Sequence, residues 1–281
     1  MHIAGNSMNE IYKQACRMLF LHGSDVGPRG LMTRELTNVQ IELSDPRARI
    51  ASSTTRDMSM RYMVGELCFY LNGSTDLETI AYYGPFWRKV SDDDKTVNSA
   101  YGLRLFFEGG GGQFNYAIHC LNTDVDSRKA VMPIYRLTDS KTSKDNPCTM
   151  FLQLMIRQGR LNCYVFMRSN DIWLGLPYDL AFFTFLQEMA FVTLRRTYPE
   201  LQLGHYLHHA TSLHCYADHI DDLQTIANEA NVEDVRMPHV TNNDVRTWFP
   251  DLLHHEHVYR TGELCTVPTA GIQGWLLQWL R

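Results

Sequence analysis

The segment from 179 to 196 places the strongest limit on the fold. Leu180-Ala181-Phe182-Phe183-Thr184-Phe185-Leu186 is apolar at nearly every position. A helix built from it has almost no solvent face and must lie inside the protein. Just upstream, residues 151–156 and 161–167 are short β-rich runs joined by Arg157-Gln158-Gly159-Arg160, the composition of a hairpin turn. A hairpin feeding a buried helix, with no regular βαβ alternation in the 281 residues, predicts an α+β protein.

The N-terminal half carries local signals. Ser7-Met8-Asn9-Glu10 has the form of a capping box, and Ile11, Ala15 and Met18 follow at helical spacing, which predicts a helix over 8–21. Gly23, Gly27, Pro28 and Gly30 make a loop around Arg29, and the alternation of Val39, Ile41 and Leu43 predicts a strand. Met60, Met63, Val64, Leu67 and Leu71 share one face of a helix over 57–72, ended by Asn72-Gly73. Thr75-Asp76-Leu77-Glu78 can cap another helix, running into Tyr82, Tyr83, Phe86 and Trp87. Residues 91–97 read as an exposed loop, and the glycine run 109–112 as a flexible turn lacking the lysine and hydroxyl of a phosphate loop. No repeat or linker divides the chain, so one domain over 1–281 is expected.

Composition excludes several classes. With 44% apolar residues there is material for a core, and a formal charge of −5 with scattered Lys and Arg argues against nucleic-acid binding. An anionic mononucleotide needs only a local group of cations. No eighteen-residue apolar run and no charged-then-apolar leader occur, so neither membrane insertion nor secretion is expected. Seven cysteines without CxxC spacing read as reduced thiols of a cytoplasmic protein. Histidines 205, 208, 209, 214 and 219 lie close in sequence, but no HExxH or CxxC pattern accompanies them, and no metal is expected.

Three residues carry chemistry that their surroundings do not explain. Pro147 fixes the chain direction before the thiol of Cys148, which is either a packed cysteine at a strand start or a nucleophile. Glu66 lies in the apolar segment Val64-Gly65-Glu66-Leu67-Cys68, where a carboxylate must be exposed, paired or functional. Asp179 opens the apolar helix and can serve as its N-cap, or bind a ligand, or both.

The string from Arg168 through Ser169-Asn170-Asp171 and Leu174-Gly175-Leu176-Pro177-Tyr178 to Asp179 begins twenty residues beyond Cys148. That arrangement resembles the nucleophile and nucleotide-binding segments of the thymidylate synthase family, and within it the enzymes acting on deoxycytidylate. The resemblance is specific over 124–220, fair over 25–105 and absent beyond roughly 225, leaving 225–281 divergent. It implies a single thymidylate synthase-like domain with a mixed β-sheet packed by helices, the sheet forming the interface of a homodimer.

By the same resemblance, Cys148 would be the thiolate that adds to C6 of the pyrimidine. Arg168 and Ser169 would bind the phosphate, joined by Arg29 (Arg34 is the competitor) and by Arg128 and Lys129 reaching across the dimer. Tyr101 would lie near the cysteine, and His214 and Tyr216 would bind the sugar hydroxyl. Glu66 would manage protons, and Trp87, Asp171 and Gly175 would contact 5,10-methylenetetrahydrofolate, the one-carbon donor. At Asp179 the uracil-specific members carry asparagine. A carboxyl accepts from a 4-amino group while sharing a proton with N3, which matches cytosine. The implied reaction is C5 hydroxymethylation of dCMP, in a host cytoplasm if phage-encoded.

Alternatives on this fold are CMP as substrate, a methyl product, a thymidylate synthase acting on dUMP, or an inactive nucleotide-binding homologue. Departures from the family pattern are Thr149 for the histidine after the nucleophile, Met167 for glutamine, Asp218 for a second asparagine, and the C-terminal tail.

Overall fold

A computed structural model describes residues 1–109, 111–140, 142–230, 233–240, 245–263 and 270–280. Gly110 of the glycine run, Cys265 and Arg281 lie outside the described residues. In chain order the elements are β1 (His2–Gly5), α1 (Met8–His22), β2 (Ser24–Val26), β3 (Thr33–Leu43), α2 (Met60–Leu71), α3 (Leu77–Ala81), α4 (Trp87–Val90), α5 (Gln113–Thr123) and β4 (Val131–Pro133). There follow β5 (Thr149–Arg157), β6 (Arg160–Met167), β7 (Asn170–Asp171), α6 (Leu176–Leu194), β8 (Gln202–Tyr216), α7 (Ile220–Asn228), α8 (Val245–Thr261) and α9 (Gly271–Leu277). The chain divides into two units, the first comprising 1–58, 148–188 and 201–237, the second 59–147, 189–200 and 238–281.

The first unit is built on a mixed sheet in the order β1-β3-β8-β6-β5, with β2 beside β3 and β7 beside β8. β5 and β6 form the predicted antiparallel hairpin, whose turn places Gln158 (φ 51°) and Gly159 (φ 70°) in the left-handed region that glycine enters without strain. β8 runs parallel to β6 and antiparallel to β3. Leu152, Leu154, Ile156, Leu161, Cys163 and Val165 are buried, whereas the alternate residues Phe151, Met155, Tyr164 and Phe166 remain half-exposed.

Gln187 and Glu188 are fully buried polar residues of α6, and the sheet explains the first. The β6–β8 register shifts between Leu161 and Cys163. Gln187 Nε2 donates to the carbonyls of Leu161 (2.9 Å) and His205 (3.1 Å), and the His205 N–H bonds Asn162 Oδ1 at 2.9 Å. Without these bonds each orphaned group would cost about 1–3 kcal/mol. The second, Glu188, is fully buried and pairs with Arg47 (3.0 Å) and with the equally buried Arg49.

The α1 cap forms as expected, Ser7 Oγ accepting the Glu10 N–H at 3.3 Å. The reciprocal carboxylate bond goes to the Asn6 N–H at 2.8 Å, one residue upstream of the usual capping-box donor. α6 begins at Leu176, three residues before the expected 179. Gly175 C=O accepts the N–H groups of Tyr178 (3.0 Å) and Asp179 (2.9 Å), and Pro177 sits where a helix needs no N–H. Asp179 therefore lies inside the first turn and is not the N-cap.

In the second unit, Ser59 caps α2, three residues later than the expected start at 57, and Asp76 caps α3 through the Thr79 N–H at 2.8 Å. Gly65 is required by the close approach of Tyr83: a Cβ there would lie 2.3 Å from its ring. Tyr83 Oη donates to buried Glu256 at 2.7 Å, which also accepts from Arg260 Nε at 2.8 Å. Buried Arg104 is anchored by Asp139 and by the carbonyls of Ile134 (2.7 Å) and Asn98 (2.6 Å). No helix among the described residues is long and apolar enough to cross a membrane.

Candidate active site

In the first unit, the Arg168 N–H donates to the Cys148 carbonyl at 2.9 Å, and Thr149 pairs with Met167. The hairpin thus folds a twenty-residue separation back on itself, and the thiol-bearing residue and the arginine sit at adjacent strand ends. Arg168 is exposed and Ser169 half-exposed. Among the described cysteines Cys148 alone is half-buried, whereas the other five are buried. Thr149, in the place of the family histidine, is fully buried.

Asp179 is half-exposed, and its Oδ2 accepts from Asn170 Nδ2 at 2.7 Å. Asn170 Oδ1 faces His208 Nε2 at 3.0 Å, and His208 Nδ1 faces Tyr206 Oη at 2.9 Å. Burial pushes the His208 imidazole down to about 3, so it is neutral. Burial likewise raises the Tyr206 hydroxyl well above its ordinary value, with Cys163 and Asp179 adding to the effect.

β7 pairs with β8 so that Asp171 lies across from His214. Asp171 Oδ1 accepts the N–H groups of Trp173 (2.7 Å) and Leu174 (2.6 Å). Its Oδ2 is buried without a hydrogen bond, 3.9 Å from His214 Nε2. Burial raises the Asp171 carboxyl, against the Leu174 N–H and His214, which lower it. Gly175 closes this turn through its N–H to the Asp171 carbonyl at 3.0 Å.

His214 and Tyr216 alternate on β8, their rings edge-on at 5.5 Å. Tyr216 Oη accepts from Arg29 Nη2 at 3.2 Å. Arg29 has φ 56°, in a turn flanked by Gly27 and Gly30. Its competitor Arg34 is held by Asp25 at 2.9 and 3.3 Å and by the Phe20 carbonyl at 3.3 Å. Asp218 is exposed.

The second unit brings together Glu66, Trp87 and Tyr101 through two tyrosines that the sequence reading passed over. Tyr62 Oη donates to Glu66 Oε1 at 2.7 Å while accepting from Trp87 Nε1 at 3.0 Å. Tyr70 Oη donates to the same Glu66 oxygen at 3.2 Å and stacks on Tyr101 at 5.4 Å. Both lie four residues from Glu66, a spacing that puts them on its helix face. Burial raises the Glu66 carboxyl to about 7, the two hydroxyls opposing the shift, which makes it a group able to hold or release a proton near neutrality. Arg128 and Lys129 are exposed beside buried Ser127, whose Oγ accepts the Lys129 N–H at 3.2 Å. Among the described residues no group of three or more His, Cys, Asp or Glu could hold a metal ion.

Residues 10–251 match the family described as thymidylate synthase, and the chain belongs to that family. Among its relatives is the deoxyuridylate hydroxymethyltransferase of Bacillus phage SP01, 29% identical over 230 residues. The alignment covers 76% of this chain and 58% of that protein, so the chain spans a little over half of the relative's length.

Proposed function

We propose that this protein is a folate-dependent one-carbon transferase that hydroxymethylates C5 of deoxycytidylate. The observation carrying the choice of base is Asp179. Its half-exposed carboxylate is oriented by a buried amide in the same unit as Cys148 and Arg168. A carboxyl whose proton is held toward N3 accepts from a 4-amino group, and in that state it gives O4 of uracil no donor.

In this reading the Cys148 thiolate bonds C6, which makes C5 nucleophilic, and leaves again when product is released. Arg168 offers a planar pair of donors to the phosphate, with Ser169 and Arg29 beside it. Arg29 is preferred to Arg34, whose guanidinium is already engaged by Asp25. His214 and Tyr216 take the sugar hydroxyl. Asp171 fits a pterin ring, because its buried Oδ2 lacks a donor that a ring N–H would supply, and Gly175 leaves backbone for the ring to lie on. Methylenetetrahydrofolate, when bound, supplies a one-carbon unit at the oxidation level of formaldehyde. Glu66, with its carboxyl near 7, moves protons to and from the water that completes the hydroxymethyl group. Trp87 and Tyr101 fix Glu66 through their contacts with Tyr62 and Tyr70.

We further read the two units as one functional domain of a homodimer, with Arg128 and Lys129 serving the partner's phosphate. The half-exposed aromatic face where Phe151 stacks on Phe166 at 4.5 Å supports that association. Free thiols fit a reducing cytoplasm.

A second reading, hydroxymethylation of dUMP, is favoured by the similarity to the deoxyuridylate hydroxymethyltransferase of phage SP01. Incubation with methylenetetrahydrofolate and dCMP, CMP or dUMP, followed by product mass, decides among them. Hydroxymethyl-dCMP as the main product is expected; a methyl product, or turnover of dUMP or CMP alone, would overturn the proposal.

A further inference from the structure

We propose that Asn170 is the specificity-positioning residue of this site: it decides which oxygen of the Asp179 carboxyl bears a proton, and so which pyrimidine that carboxyl accepts. The inference rests on the assignment of Asp179 to the base edge made above, and goes beyond it.

An aspartic acid is not selective by itself. A protonated carboxyl offers one donor and one acceptor. With the hydrogen facing N3 it complements cytosine, giving N3 a donor and the 4-amino group an acceptor. With the hydrogen on the other oxygen it complements uracil equally well, accepting from N3–H and donating to O4. Something must distinguish the two oxygens.

Asn170 does so. Its Nδ2 can only donate, and it lies 2.7 Å from Asp179 Oδ2, so that oxygen is held as an acceptor and the hydrogen falls to Oδ1. Behind the amide, Asn170 Oδ1 faces His208 Nε2 at 3.0 Å and His208 Nδ1 faces Tyr206 Oη at 2.9 Å. With Nδ2 given to Asp179, Oδ1 accepts from the Nε2 hydrogen, and Tyr206 Oη then donates to Nδ1. Asn170 is 2% exposed, and both Tyr206 and His208 are 0% exposed, so no water competes for these bonds. A neutral imidazole carries one hydrogen, and in this arrangement it sits on Nε2.

The backbone builds the relay. Tyr206 and His208 share a face of β8 by alternation, and Asn170, which pairs with Leu213 farther along the same strand, meets His208 through its side chain. A Cβ at Gly175 would come within 3.0 Å of Asn170 Nδ2 and 3.1 Å of Asp179 Oδ2, so glycine leaves space for this bond. With Oδ2 against the 4-amino group and Oδ1–H against N3, the relay selects cytosine.

The test is the ratio of kcat/KM for dCMP to that for dUMP in the full-length wild type, Asn170→Leu and Tyr206→Phe proteins. Asn170→Leu should collapse the ratio by about tenfold or more, with the disfavoured nucleotide turned over faster than by wild type. Tyr206→Phe, which does not touch Asp179, should move the ratio the same way by less. A merely structural role would slow both nucleotides together, and an unchanged ratio in both variants overturns the proposal. Should Asn170→Leu fail to fold, Tyr206→Phe decides by the same criterion. The wild-type ratio is a separate result: preference for dUMP removes the cytosine assignment while a collapse in the variants still upholds Asn170. A wild type that turns over neither nucleotide removes both.

Discussion

Replacing Glu66 by glutamine keeps the shape of the side chain and removes its charge. Both tyrosine hydroxyls donate to Glu66 Oε1, a role the glutamine carbonyl can fill. In the native protein burial lifts this carboxyl from 4.5 to about 7. Between those values the folded protein keeps a proton that the unfolded chain has released. Stability from this group is therefore complete below about pH 4.5 and is lost as pH rises through about 7. The gap corresponds to about 3 kcal/mol once fully developed near pH 8, and to less than about 1 kcal/mol at pH 5. Glutamine has no charge to desolvate. The Glu66→Gln protein should therefore be more stable than wild type by about 3 kcal/mol near pH 8, with the difference closing toward pH 5. Urea unfolding across that range measures it directly. Wild type should show a kcat/KM limb near neutrality from this carboxyl, and the variant should lack it. A stability difference independent of pH, or a variant less stable near pH 8, would refute the reasoning.

Other expectations follow from the first unit. Asp179→Asn exchanges a carboxyl for the amide of uracil-specific relatives and should move the dCMP-to-dUMP ratio toward dUMP by about tenfold or more, read by steady-state kinetics. Arg29→Ala should raise KM for the nucleotide by about tenfold to a hundredfold, whereas Arg34→Ala should change it by less than about threefold. Glu188→Ala leaves the buried Arg49 guanidinium uncompensated and should cost about 3–5 kcal/mol in urea unfolding.

What the sequence reveals depends on how far apart the interacting residues lie. Ser7 and Asp76 are legible because a cap is a local bond, and the Arg157–Arg160 turn because glycine marks it. The start of α6 is not, since Pro177 reads as a boundary although it fits the first turn. α5, α7, α8, α9 and the strands β1, β2, β4, β7 and β8 carry weaker local signals and went unanticipated. Cys148, Arg168, Asp171 and Asp179 are legible because hairpin, short strand and helix start compress one string into one unit. Tyr62 and Tyr70 could have been found from their spacing around Glu66. His208 and Tyr206 could not, because His208 lies 38 residues from Asn170 in the chain and no local pattern records a bond of that range. Motif reading ends near 225, while the family match continues to 251.

The central claim, covalent one-carbon transfer to a cytosine nucleotide through Cys148, is tested most directly by tritium release from C5-labelled dCMP in the presence of methylenetetrahydrofolate. Wild type should release the label, and a folded Cys148→Ala protein should not. Release at the wild-type rate without the thiol, or release from labelled dUMP with none from dCMP, would contradict it.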